Sequence, residues 1–170
     1  GKGSGPGTAP QFVVHALRSS AWERDLARAL LLSSLYMHFI IEHNRGHHRR
    51  VATPDDPASA RYGETVYAFW FRSIVFSWRS AWHIEADRLR KRGEHTFGPK
   101  NEMLHALVLQ GGLLIAIGAV AGANALLAFV AAAFIGILLL ETVNYIEHYG
   151  LRRKLTATGS YGRVQHIHSW

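Results

Sequence analysis

The dominant hydrophobic pattern of the chain is an apolar stretch from Met103 to Leu140 that contains no Asp, Glu, Lys or Arg. As one straight helix it would measure about 57 Å, nearly twice the thickness of a bilayer core. The segment Gly122-Ala123-Asn124 offers turn residues near its middle. The pattern therefore predicts a transmembrane hairpin over 104–147, built from helices at roughly 104–121 and 125–147. A buried hairpin of a soluble protein is the alternative.

Upstream of this stretch, apolar positions recur with helical spacing from Trp22, which predicts a helix over 22–52 that proline ends at Thr53-Pro54. Residues 53–102 first interleave aromatic side chains with arginines and then become highly charged. This pattern is typical of the membrane headgroup zone and of a solvated helix, although stacking on nucleic-acid bases is a rival interpretation. The predicted fold class is all-α, an integral-membrane helical bundle with cytoplasmic helical extensions.

The charge distribution indicates on which side of the membrane the two ends of the hairpin lie. The chain of 170 residues has a formal net charge of +7. Segment 42–102 holds 11 Lys and Arg, segment 149–170 holds four, and the turn at 122–124 holds none. By the positive-inside rule, both ends lie on the cytoplasmic side, and we expect a lipid bilayer and no nucleic acid as partner. The absence of cysteine excludes disulfides, iron–sulfur clusters and Cys-ligated zinc. The Gly-rich segment 1–10 is expected to be flexible.

Three histidines, His43, His47 and His48, are the first candidate site. On an α-helix His47 lies roughly 40° from His43, whereas His48 points about a quarter-turn away. One pair could chelate a metal ion while the adjacent imidazole reaches a second one. Neutral imidazole suits iron, zinc, copper and nickel. The alternative is a solvated His/Arg surface segment.

A second polar constellation ends the second apolar helix, where Glu141, Asn144, Tyr145 and His148 share one helical face. Carboxylate, amide and imidazole groups at membrane depth are costly unless they are paired or functional. His148 is therefore a candidate metal ligand. The candidate hydrogen-bond partners that orient imidazoles are Glu42, Asn144, Glu141 and Glu147. A helix end reaching into the headgroup zone, capped by Gly150, is the alternative.

Two long motifs carry a resemblance to a known family. Glu42-His43-Asn44-Arg45-Gly46-His47-His48, with the following 51–59, resembles the second histidine box of the bacterial integral-membrane alkane hydroxylases. Asn144 to Leu151 is similar to the Glu-His-Tyr-Gly motif of that family, and His168-Ser169-Trp170 to the stretch leading to its third box. The resemblance runs from about Tyr36 to Trp170 in the order of the family.

The resemblance implies a six-helix protein of the bacterial inner membrane, with two non-haem iron ions bound on the cytoplasmic side. It implies alkane 1-monooxygenase activity, which inserts oxygen from O2 into the terminal methyl of an n-alkane with electrons from rubredoxin. The implied iron ligands are His43, His47, His48 and His148, so the tail 148–170 would carry part of the metal site. His38 is expected to be structural or supporting and His168 to position other groups. A surface or packing role is expected for His15, His83, His95, His105 and His166.

The resemblance also has gaps, because the first and third histidine boxes of the family are absent. We therefore expect a central fragment that is inactive alone. The enzymatic rivals are a xylene monooxygenase and a fatty-acid desaturase, although desaturase boxes favour His-x-x-His-His and three residues separate His43 from His47. For the isolated chain, a non-catalytic membrane metal-binding segment is the other alternative.

Overall fold

The computed structural model describes residues 21–169, and those residues form helices without a β-strand among them. In chain order the elements are α1 (Ala21–Ser33), α2 (Phe39–Glu42), a π-helical turn (His43–His47), α3 (His48–Arg50), α4 (Val66–Lys91), α5 (Glu102–His148) and a final 3-10 turn (His166–His168). The predicted all-α class is confirmed. The segment expected to be flexible, 1–10, as well as His15 and Trp170, lies outside the described residues.

The helix predicted over 22–52 is broken after Ser33, which corrects that prediction. The Tyr36 amide donates to the Leu31 carbonyl at 2.8 Å and the Leu35 amide to the Leu32 carbonyl at 3.0 Å. This is a Schellman ending, in which the left-handed position is usually glycine. Here it is Leu35, with φ 55°, and a left-handed non-glycine residue costs about 1–2 kcal/mol. The turn redirects the chain so that Tyr36 becomes buried.

Helix α4 begins at Thr65, whose hydroxyl accepts a hydrogen bond from the Ala68 amide at 3.3 Å. Its buried side chains recur at every fourth position, and they are Phe69, Ser73, Ser77, Ala81, Glu85 and Leu89. Each four-residue step advances about 40° around the helix, so the buried stripe winds around α4, which packs against different elements along its length. Several of these residues are small, which lets other backbones approach that stripe closely.

Helix α5 is a hairpin and not one straight rod. Its 47 residues would extend about 70 Å if straight, but Gly122 has non-helical φ 83° and ψ 175°. At one end Glu102 accepts a hydrogen bond from Arg45 at 2.8 Å, and at the other the His148 ring centroid lies 4.7 Å from that of His47. Since residues 45 and 47 are neighbours, the chain folds back at Gly122, within the predicted turn.

The two limbs of this hairpin, 102–121 and 123–148, have lengths that suit a bilayer, about 30 and 39 Å. Their most apolar window has a mean hydropathy of 2.5 and is only 6% buried. The core helix of a soluble protein would be mostly covered, so the exposed apolar surface favours the bilayer over the soluble hairpin. The chain is accordingly a membrane protein.

Helix α4 lies across both ends of the hairpin. Near its start, the Trp70 indole N–H donates to Thr142 of the second limb at 3.1 Å. Near its other end, Glu85 accepts from the Glu102 amide of the first limb at 2.7 Å. A small core of Ile41, Ala81 and Met103 sits where α2, α4 and the first limb meet. Together these contacts fix the histidine-bearing segment beneath the hairpin.

Candidate metal centre

The structure brings together the four histidines predicted as metal ligands. Ring centroids lie 4.6 Å apart for His43 and His48, 5.2 Å for His43 and His47, and 4.7 Å for His47 and His148. His148 thus joins the other three from a position 100 residues further along the chain. His47 and His148 are buried, and His48 is exposed. The second predicted constellation therefore faces the first.

The π-helical turn changes the expected orientation of these rings. The His48 amide donates to the His43 carbonyl, five residues earlier. The wider turn places His48 nearer to His43 than His47 is, so the α-helical prediction of a quarter-turn separation was wrong. Such π-turns occur mostly as single insertions in α-helices, often at functional sites.

The imidazole nitrogens of the cluster do not converge on one point. The His43 and His47 rings are stacked, with only 16° between their planes, so they present faces to each other. Within residues 21–169 no three His, Asp or Glu side chains form a ready metal cage. Imidazole nitrogen nevertheless is a donor that iron accepts, and four such donors meet here. The donor set fits a metal, although its nitrogens must rotate to bind one.

Asp56, which no sequence pattern marks as a site residue, orients one of these histidines. Its Oδ2 lies 2.8 Å from His47 Nδ1 and accepts a hydrogen bond from the Ser59 hydroxyl at 2.5 Å. Burial raises the pKa of Asp56, but the hydrogen bonds from His47 and Ser59 outweigh it, and the pKa lies below its ordinary value. The carboxylate therefore accepts the Nδ1 proton of His47 and leaves Nε2 free for a metal.

His148 is held in a similar way by a backbone group. Its Nδ1 donates to the carbonyl of His168 at 3.1 Å, which leaves Nε2 available. Glu147 Oε2 lies 3.8 Å from that Nε2. The positioning role expected for His168 thus belongs to its main chain, while its ring accepts a hydrogen bond from the Gln165 amide at 2.8 Å.

The surroundings favour neutral imidazole rings, the form that binds metals. Burial and the neighbouring imidazoles of His47 and His48 lower the pKa of His43 to about 4. Burial and His47 also lower the pKa of His48. Protons consequently compete weakly for these two rings at neutral pH.

One candidate orienting residue, Glu42, pairs with an arginine. Glu42 is buried, and its Oε1 accepts from Arg50 at 2.8 Å. Burial raises the pKa of Glu42 despite this ion pair. Gly46 lies beneath the pair, and a Cβ there would come within 2.6 Å of Glu42 Oε1 and 2.5 Å of Arg50 Nη2. Glycine is therefore needed for this ion pair to cross the π-turn.

Glu141 and Asn144 form a separate buried network. Glu141 accepts hydrogen bonds from the Tyr36 hydroxyl at 2.7 Å, the Ser73 hydroxyl at 2.6 Å and the Asn144 amide at 3.4 Å. It thereby ties the second limb to α4 and to the turn before α2. Among residues 21–169 neither Glu141 nor Asn144 is hydrogen-bonded to an imidazole, so this network supports the site from the membrane side.

The remaining histidines differ in burial. His38 is buried, its ring lies 4.4 Å from that of Tyr36, and its Nε2 has no hydrogen-bond partner among the described residues. Burial lowers the pKa of His38 to about 4. His83, His95 and His105 are exposed, in agreement with the surface role expected for them.

Comparisons with known proteins agree with the motifs. The sequence model described as Fatty acid desaturase matches residues 12–170. The chain is 41% identical over 160 residues to Alkane 1-monooxygenase 1 of Pseudomonas aeruginosa, covering 93% of this chain and 42% of that protein. It is 43% identical over 159 residues to Alkane 1-monooxygenase of Acinetobacter baylyi, covering 92% and 39%.

A more distant relative is the Xylene/toluene monooxygenase hydroxylase component of Pseudomonas putida. It is 31% identical over 115 residues, which cover 68% of this chain and 31% of that protein. The chain spans about two-fifths of the length of the alkane monooxygenases that it matches.

Proposed function

The chain belongs to the fatty acid desaturase family, and from that membership we propose that the whole protein is a non-haem di-iron alkane 1-monooxygenase. The observation that supports this most is the meeting of His43, His47, His48 and His148 at the end of an apolar hairpin. The reaction would convert an n-alkane and O2 to the 1-alcohol and water, using two electrons and two protons.

Four of the iron ligands would come from this chain, and they are His43, His47, His48 and His148. Further ligands would come from parts of the protein outside this sequence, since the chain spans only two-fifths of its relatives. A bound iron pair would supply activation of O2 and attack on the terminal C–H bond. Asp56 and the His168 carbonyl would hold two imidazoles in the tautomer that presents Nε2 to a metal.

The substrate would reach the site from the bilayer. The limbs of the hairpin expose an almost wholly apolar surface, and an n-alkane offers no polar group for recognition. It would partition into the same hydrocarbon layer and meet the histidines at the membrane boundary. The apolar surroundings would also limit the access of water to the reacting carbon.

The location of the site and its electron donor are inferred from charge and family. The basic residues of 42–102 and 149–170 favour placing the histidines on the cytoplasmic side of a bacterial inner membrane. We propose rubredoxin as the electron donor there, since the family resemblance implies it.

The test is an assay of the complete protein, loaded with iron and supplied with O2, rubredoxin and its reductase. We expect 1-alkanol from octane or hexadecane by gas chromatography. His148→Ala should lose bound iron and activity, whereas His95→Ala, at an exposed histidine, should keep both. Iron-loaded wild-type protein that forms no alcohol would overturn the proposal.

The products also separate the rival enzymes. An alkene would indicate a desaturase, and activity on xylene alone would indicate an arene monooxygenase. The sequence identities favour an alkane substrate, because they are 41% and 43% to the two alkane monooxygenases and 31% to the xylene/toluene protein. For the isolated chain, iron analysis tests the remaining alternative, because a non-catalytic metal-binding segment would bind iron without turnover.

A further inference from the structure

Helix α4 carries two different exposed surfaces. Residues at three- and four-residue spacing share a helical face, and one such face is an aromatic stripe of Phe71, Val75, Trp78 and Trp82. The neighbouring face is a cationic stripe of Arg72, Phe76, Arg79 and His83. Six of these eight side chains are exposed, whereas Arg72 and Trp82 are half-buried, and Trp82 packs against the small core of Ile41, Ala81 and Met103. Since α4 crosses the ends of both limbs, a bilayer around the hairpin would have its headgroups at the level of the two stripes.

The cationic stripe borders a pocket of about 410 Å³. Its lining includes His83 and the charged residues Arg50, Asp55, Arg61, Arg72 and Arg79. Two of the arginines are already neutralised, because Arg50 pairs with Glu42 and Arg72 pairs with Glu64. Neither Arg61 nor Arg79 forms an ion pair with a carboxylate of residues 21–169. Glu64 also lies within electrostatic range of Arg61. The four arginines of the pocket therefore exceed the carboxylates around them, Glu42, Asp55 and Glu64, by one positive charge.

An apolar pocket of about 450 Å³ adjoins the cationic one. Its aromatic walls are Trp78, Trp82 and Phe97, and it shares Arg79 and His83 with the cationic pocket. Phe97 is 78% exposed, although one side of its ring faces that of Trp82, with the centroids 5.9 Å apart. The combined groove is thus positive at one end and apolar at the other.

We propose that this groove binds an anionic phospholipid of the bilayer. Arg61 and Arg79 contact its phosphate, and an acyl chain packs on Trp78, Trp82 and Phe97. A soluble anion would leave the aromatic pocket empty. A zwitterionic lipid would bring an ammonium group among the arginines, where only Asp55 could receive it. The charge and the apolar surface together match a lipid whose headgroup has a net negative charge.

The test uses the complete protein, purified in detergent and stripped of lipid, then titrated with phosphatidylglycerol or phosphatidylcholine under native mass spectrometry. We expect the wild type to prefer phosphatidylglycerol. Arg61→Gln and Arg79→Gln should each weaken its binding about fivefold, the effect of one basic residue near an anionic lipid surface, without changing phosphatidylcholine binding. Arg79→Lys keeps the charge and should retain most of the affinity.

The matched control is Arg90→Gln, which removes an exposed arginine of the same helix that pairs with Asp87. This variant should bind phosphatidylglycerol as the wild type does. Equal binding of the two lipids by the wild type, or an equal loss in Arg90→Gln and Arg79→Gln, would overturn the proposal.

The aromatic part of the groove has its own test. Phe97→Ala should weaken binding of dioleoyl-phosphatidylglycerol more than that of the dihexanoyl lipid, because only the long chain fills the apolar pocket. Inorganic phosphate at millimolar concentration should not displace the dioleoyl lipid. If phosphate displaces the dioleoyl lipid, the pocket binds a soluble anion and the lipid site is contradicted. The same conclusion follows if an acidic soluble protein displaces the lipid and the acyl chain length has no effect on binding.

Discussion

The two ends of α5 meet the same histidine segment through different chemistry. The first end is ionic: Glu102 pairs with Arg45 at 2.8 Å, and both side chains remain partly open to water, at 42% and 36% exposure. The second end is buried, and Glu141 there accepts from the hydroxyls of Tyr36 and Ser73. Only the second end brings an imidazole, His148, into the candidate metal centre.

The difference shows how one hairpin serves two purposes. Exposed ion pairs contribute little stability, typically below about 1 kcal/mol, so the side-chain pair of Glu102 and Arg45 is free to adjust, while the backbone of the first end is held by buried Glu85. Buried acceptors with several donors are costly to disturb, so the second end fixes the position of His148. At the end that carries a ligand, the limb side chain itself is the buried acceptor, and such fixed support is what a metal site requires.

The largest effect is expected from Glu141→Ala. This change leaves two buried hydroxyls without an acceptor and opens a cavity between α4 and the second limb. It should reduce the free energy of unfolding by about 3–5 kcal/mol, measured by tryptophan fluorescence during unfolding in mixed micelles. Tyr36→Phe, which removes one donor only, should cost about 1 kcal/mol. A Glu141→Ala cost no greater than that of Glu102→Ala would contradict the contrast between the two ends.

The next effect concerns Glu85, the buried acid of the first end. Burial raises its pKa, but hydrogen bonds from Arg88 and the Glu102 amide outweigh burial and hold the pKa below its ordinary value of 4.5. Its stabilisation is thus fully present above pH 4.5 and is lost as the pH falls through the lowered value. Glu85→Gln should cost about 1.5–3 kcal/mol at neutral pH.

The measurement for Glu85 is the free energy of unfolding at a series of pH values from neutral to acid. The difference between the wild type and Glu85→Gln should shrink as the acid is protonated. Asp87→Asn, at an exposed acid paired with Arg90, serves as control and should leave the pH profile unchanged. A difference that stays constant with pH would show that Glu85 stabilises by packing alone.

At the second end, Asp56→Asn should weaken iron binding. Loss of a carboxylate that orients a metal-binding histidine typically lowers metal affinity about 10–100-fold. Iron retained after dialysis against a chelator measures the change in the complete protein. The adjacent Asp55 is exposed, so Asp55→Asn is the matched control and should retain iron. Equal retention by both variants would mean that the bond between Asp56 and His47 is structural only.

The features that sequence could predict are those that local pattern determines. The uncharged stretch and the glycine at 122 predicted the hairpin and its turn. The motif of residues 42–48 and the motif around His148 predicted which imidazoles meet. Each of these conclusions needs only neighbouring residues or a resemblance to a known motif.

The features that sequence could not predict depend on conformation or on distant contacts. The π-turn that brings His48 beside His43 breaks the α-helical period assumed for the segment. Leu35 occupies a left-handed position where glycine is usual, so no stop signal marks the end of α1. Asp56 lies between Pro54 and Pro57 in the sequence, and only the folded loop brings it to His47. Tyr36 and Glu141 are 105 positions apart.

The smallest effect, Glu102→Ala, tests the adjustable end directly. Arg45 keeps a second partner in Glu85 at 3.0 Å, so the variant should lose less than about 1 kcal/mol. Salt should remove most of that loss, because at 1 M ionic strength charges are screened over about 3 Å. The measurement is the free energy of unfolding of the wild type and of Glu102→Ala at low and at high salt. The buried hydrogen bonds of Glu141 are little screened by salt, so the stability cost of Glu141→Ala should be the same in 1 M salt. If the loss in Glu102→Ala is also independent of salt, the ion pair between Glu102 and Arg45 behaves as a buried one.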